Sequence, residues 1–160
     1  MARTKKTIAI VLHNVRSVYN VGSIFRTADA AGVKKIYLCG YTPTPVDRFG
    51  KARRDFAKVS LGAEKSVAWE YKQSAAGLIK DLKKRGYQIV ALEQAPEAID
   101  YRRAKIKIRA VLVFGNEVSG LPMSIRKSAD VVAEIPMRGD KESLNVSVAA
   151  GVAMFRILGI

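Results

Sequence analysis

Residues 110–122 read AVLVFGNEVSGLP, and this stretch decides the fold. Its first five residues are an uncharged run rich in valine, as a strand covered on both faces requires. Gly115 and Gly120 then bracket a turn, and the spacing of residues 122–129 predicts a helix. A strand that leaves through a tight turn into a helix is the repeating unit of an α/β sheet. The turn also invites comparison with phosphate-binding loops, but it fails both templates. Leu121 and Pro122 stand where a P-loop needs lysine and a hydroxyl residue, and no G-x-G-x-x-G occurs in the chain. A nucleoside triphosphate or a dinucleotide is thereby disfavoured. Taken alone, Asn116 and Glu117 read equally well as ligand contacts or as an ordinary turn with a solvated acid near a helix start.

Outward from this unit the same alternation recurs. Short apolar, β-branched runs at residues 8–12, 35–39, 88–92 and 131–135 predict further strands. Helical spacing is found at residues 21–31, 73–85 and 144–158. The expected fold class is α/β, a mostly parallel sheet flanked by helices, in one domain over residues 1–160. In the last helical stretch Leu144, Val148, Val152 and Phe155 form one apolar stripe, which suits packing on the sheet or an interface with a second copy. Residues 41–54, YTPTPVDRFGKARR, are the one long irregular segment, broken by prolines and a glycine and closed by basic residues.

The chain holds 28 Lys and Arg against 14 Asp and Glu, a formal charge of +14, more than solubility requires. Such a balance attracts a polyanion, and RNA or DNA is the natural candidate, although a uniformly solvated basic surface gives the same composition. The basic residues do not gather on one amphipathic helix, which argues against a membrane surface. No uncharged run reaches the length of a span and residues 1–6 lack a signal-peptide core, so a cytoplasmic location is expected. With Cys39 the single cysteine and His13 the single histidine, neither a disulfide framework nor a zinc site is expected, and the metal set is empty.

Two further segments pair a strand end with polar residues. After the first strand come Asn14, Arg16, Asn20, Gly22 and Arg26, leading into a helix that Asn20 is placed to cap, with Gly22 permitting close approach. After the last strand come Ile135, Pro136, Met137, a charged loop, and Ser143, Leu144 and Asn145, where Ser143 or Asn145 starts the terminal helix. Each segment alone is explained by capping and solvation.

In this order, N-x-R-x-x-x-N-x-G-x-x-x-R, F-G-N-E-x-x-G-L and I-P-M followed by S-L-N-V-S-V-A, the three segments resemble the motifs of the SpoU (TrmH) family of SPOUT methyltransferases. The resemblance runs from about residue 8 to residue 155, without the extra RNA-binding module that larger members carry. It implies a deep trefoil knot in the carboxy-terminal part of the sheet, a homodimer, and S-adenosylmethionine as cofactor. Carried over residue by residue, the cofactor contacts are Leu92, Glu93, Gly115, Asn116, Ile135, Met137, Ser143, Leu144 and Asn145. The catalytic set is Asn20, Arg26, Glu117, Ser143 and Asn145. Arg26 is the activating residue of the family pattern; since arginine holds its proton above pH 12, binding a phosphate and stabilising charge on the reacting oxygen is an alternative to a literal base. The implied reaction is 2′-O-methylation of a ribose in RNA, with tRNA the expected substrate; an rRNA 2′-O-methyltransferase and a non-catalytic RNA-binding protein of the same fold are the other readings. From charge and loop length, Arg16, Arg48, Lys51, Arg53 and Arg54 are expected to face the RNA.

Overall fold

In a computed structural model of the chain, which describes residues 5–160, seven strands form a single sheet. Of the amino-terminal stretch read for targeting, residues 1–4 lie outside the described residues. In chain order the elements are β1 (Thr7–His13), α1 (Val18–Ala31), β2 (Lys35–Cys39), α2 (Arg54–Ser60), α3 (Ala63–Ser66), β3 (Ala68–Lys72), α4 (Ala75–Lys84), β4 (Gln88–Leu92), β5 (Ile99–Asp100), β6 (Arg109–Phe114), α5 (Met123–Ser128), β7 (Val131–Glu134) and α6 (Val146–Leu158). The strand order is β3-β2-β1-β6-β4-β7-β5, and every pairing between these strands is parallel.

The unbroken apolar runs are explained by cover on both faces. Along β1, Ile8, Ile10 and Leu12 face the core shared with α1 and α6, while Ala9 and Val11 face the core shared with α4 and α5. β6 divides the same way, Leu112 and Phe114 to one side, Val111 and Val113 to the other. Such side chains each contribute about 1.5–3 kcal/mol when fully buried. Phe25 of α1 meets Phe56 of α2 edge-on, with centroids 5.2 Å apart.

The expected strands at 35–39 and 88–92 match β2 and β4 residue for residue, and the others within two residues of their ends. Three departures have physical causes. α1 begins at Val18, not at residue 21, because the Ser17 hydroxyl accepts the Asn20 backbone N–H and is the cap; Asn20 lies inside the first turn. At α6 the cap is Asn145, whose carbonyl accepts the N–H groups of Ser147 and Val148, and Ser143 lies outside the helix. Edge strand β3 has no expected counterpart, since its AWEYK is largely exposed and carries no apolar run. Cys39 is buried, and burial pushes its thiol up to about 12 against the opposing pull of Lys72, so it stays protonated.

Candidate functional site

Parallel strands place all their carboxyl ends on one edge, where the following loops converge. Here the loops after β4, β6 and β7, together with the segment leading into α6, enclose a cavity of about 350 Å³. Leu92, Phe114, Leu121, Ile135, Leu144 and Val146 give it apolar walls. Among the described residues its charged lining is Glu93, Glu117 and Glu142 with the single cation Arg126. A mostly acidic cavity in a chain of charge +14 selects against phosphates and for a cationic or zwitterionic ligand.

The loops are stitched to one another by side chains. Glu93 accepts the backbone N–H groups of Leu121 (2.7 Å) and Gln94 (2.9 Å), and the Gln94 amide donates to the Ile135 carbonyl (2.7 Å). A Cβ at Gly115 would lie 2.5 Å from the Gly120 carbonyl carbon and 2.7 Å from the Leu121 nitrogen, so only glycine lets the turn close on itself. Asn116 accepts the N–H groups of Val118 and Ser119 and donates to the Asn14 carbonyl (2.9 Å) and the Tyr41 hydroxyl (3.0 Å).

Glu117 ties this turn to the first segment. Its carboxylate accepts the backbone N–H groups of Arg16 (3.0 Å) and Ser17 (3.2 Å) and the Asn20 amide (3.0 Å). It therefore sits at the start of α1, not of the helix that follows it in sequence, where the N-terminal dipole favours an anion. Partial burial acts to raise its pKa, but the Arg16 N–H, the Asn20 amide and the Ser17 N–H outweigh it and hold the carboxyl below its usual range. Asn20, 9% exposed, turns its carbonyl to the Asn145 amide at 3.2 Å. Three segments thus meet in one polar chain, Glu117 to Asn20 to Asn145, with Asn20 reaching across 97 and 125 residues of chain.

Of the expected cofactor contacts, Leu92, Glu93, Gly115, Asn116, Ile135, Ser143 and Leu144 line the cavity; Met137 and Asn145 do not, Asn145 lying behind it as the α6 cap. Arg26 is not brought to Asn20 or Glu117 within the chain. Six residues along a helix rotate a side chain by about 240° and advance it about 9 Å. Arg26 accordingly opens into a separate exposed groove with Tyr19, Lys58 and Phe155. Close approach at Gly22 serves helix packing, a Cβ there lying 2.9 Å from that of Val59 in α2. Among the basic residues expected to face RNA, Arg16, Arg48, Lys51 and Arg54 are exposed. The Arg48 guanidinium lies 4.8 Å from the Phe49 ring centroid, and Arg53 is held by Asp55 at 2.7 Å. Ser17, Gln94 and Arg126 were not legible as site residues; Ser17 had a signal, a hydroxyl residue just before a helical run.

These features define a class, an α/β domain with an acidic, apolar-walled cavity across the carboxyl ends of a parallel sheet. The family model described as the SpoU rRNA methylase family matches residues 7–155, and the chain belongs to that family. It is 33% identical over 155 residues to the tRNA (guanosine(18)-2′-O)-methyltransferase of Aquifex aeolicus, covering 97% of this chain and 70% of that one. Its fold matches the AdoMet-bound rRNA methyltransferase from Sinorhizobium meliloti with a TM-score of 0.85 at 30% identity, over 95% of this chain and 56% of that one. A further match, from work on 2-OH methylation of C/U34 on tRNA, has a TM-score of 0.80 at 26% identity and covers 97% of this chain and 99% of that one. The chain thus spans little more than half of the S. meliloti protein it resembles.

Proposed function

We propose that the chain methylates the 2′-hydroxyl of a ribose in RNA, with S-adenosylmethionine as donor. The observation that carries this reading is the acidic, apolar-walled cavity closed by the Glu117, Asn20 and Asn145 chain in a family of RNA methylases. Leu92, Ile135 and Leu144 suit a flat purine, and the carboxylates suit the positive end of the cofactor. Bound there, the cofactor supplies an electrophilic methyl group to the ribose oxygen.

The chain's own residues hold and orient. Glu117 fixes the start of α1, and Asn145 aligns α6 with it. Arg26 takes the phosphate beside the target ribose and stabilises negative charge developing on the oxygen. Because Arg26 faces away from the cavity of its own protomer, the complete site needs a second copy, and we take the homodimer as the active form. The stripe Val148, Val152 and Phe155 supports this, since it points outward from α6 at 50%, 37% and 38% exposure while Ala150, Ala153 and Met154 pack inside. The strand order, with the late β6 beside β1 and α6 returning against α1, is compatible with a trefoil knot. Transfer RNA is the favoured substrate over rRNA, since a relative matched over 97% of this chain acts on tRNA and recognition of RNA by shape needs little beyond basic surface.

Two measurements test the reading. Calorimetry should detect S-adenosylmethionine binding without RNA or metal, and silence at millimolar cofactor would favour a non-catalytic RNA-binding protein. Mapping of alkali-resistant linkages in RNA from cells with and without the gene should then locate the methylated ribose.

A further inference from the structure

We infer that the molecule has a second RNA-contacting surface, on the sheet edge opposite the cavity, centred on Arg85, Tyr87 and Arg109. The inference rests on the proposed RNA substrate. In a parallel sheet the residues preceding the strands lie at the far edge from the loops that follow them, and five residues of strand separate the two edges by roughly 16 Å. Before β4 and β6 this edge carries Lys84, Arg85, Lys105, Lys107 and Arg109, all exposed. Among the described residues none of these five is within ion-pair distance of a carboxylate. Of the acidic groups nearby, Asp130 is engaged by Lys83 and the Ile89 N–H and Glu70 by Lys35 and Lys72, while Asp81, one turn before Arg85 on α4, is paired with none of the five.

Two features make this a built surface. The Arg85 and Arg109 guanidinium groups lie 5.7 and 4.5 Å from the centroid of one ring, that of Tyr87. Two guanidinium groups held over one ring, with no carboxylate paired to either, offer two positions for RNA phosphates. The adjoining basic segment is pinned from below. Gln88, 7% exposed, donates to the Lys105 carbonyl at 3.0 Å and accepts the Lys107 N–H at 2.8 Å, fixing residues 105–107 as a strand partner would. The ordering cost of these backbone positions is thus met in the fold before RNA arrives. An RNA segment on this edge lies too far from the cavity to hold the target ribose, so the surface takes the backbone of a distant part of a folded RNA.

The test compares wild type with Arg85→Ala/Arg109→Ala, binding unfractionated tRNA by filter retention over a range of salt. The slope of log affinity against log salt should flatten by about 1.4–1.8, since each phosphate that is no longer neutralised removes about 0.7–0.9. S-adenosylmethionine affinity should stay unchanged. A wild-type salt slope in the double variant overturns the inference, as does a loss of cofactor affinity that matches the loss of RNA affinity. These binding readings do not need turnover. A wild-type protein that methylates no RNA would therefore sink the proposed activity and leave this surface to be decided by the slope.

Discussion

Glu117 shows how much one side chain can organise. It links the turn after β6 to the start of α1 through two backbone N–H groups and an amide, and the ionised carboxylate is the stronger acceptor for these bonds. A carboxyl whose pKa is lower folded than unfolded contributes stability fully above its unfolded value, about 4.3, and loses it as pH falls through the folded value. The Glu117 carboxyl is lowered in this way. The thermal midpoint of Glu117→Gln should therefore lie below that of wild type at neutral pH, with the gap closing below about pH 4. A gap of constant size across that range would show that charge on Glu117 does not matter. Its sequence position beside α5 gave no warning that it serves α1, because the contact crosses a hundred residues of chain.

At the scale of elements, legibility followed burial. β1, β2, β4 and β6 were readable because each is buried on both faces and so cannot alternate with polar residues. β3 was not, because an edge strand with one neighbour tolerates Glu70 and Lys72. α2 was hidden behind the charged end of the long loop, with only Phe56 and Ser60 buried. The cavity loops were legible as motifs, whereas their cross-links through Glu93 and Gln94 depend on strand order, which periodicity does not encode. The turn at Gly115 yields a direct test. Gly115→Ala drives a methyl group into the backbone of Gly120 and Leu121, so the turn that lines the cavity must shift, and misplacement of about 1 Å costs on the order of a hundredfold in rate. S-adenosylmethionine binding should weaken by at least tenfold while far-ultraviolet dichroism stays that of wild type, and unchanged affinity would move the cofactor elsewhere.

For the molecule as a whole, the separation of Arg26 from its own Glu117 makes the proposed homodimer testable through activity. Mixing Arg26→Ala with Asn145→Ala, each inactive alone, should restore up to about a quarter of wild-type turnover, the share expected when subunits exchange at random and one intact site forms in half of the dimers. No recovery after verified subunit exchange would place Arg26 in its own protomer's site. The same long-range connectivity governs how the chain comes off the ribosome. β1 pairs with β6, Thr7 opposite Arg109, so one side of the apolar strand IAIVL has no neighbour until some hundred further residues are made. At about 5–20 residues per second that interval is roughly 5–20 s, long compared with strand collapse. During synthesis this edge is the segment most open to intermolecular pairing, and recovery of native protein should improve when translation is fast or when a chaperone covers it.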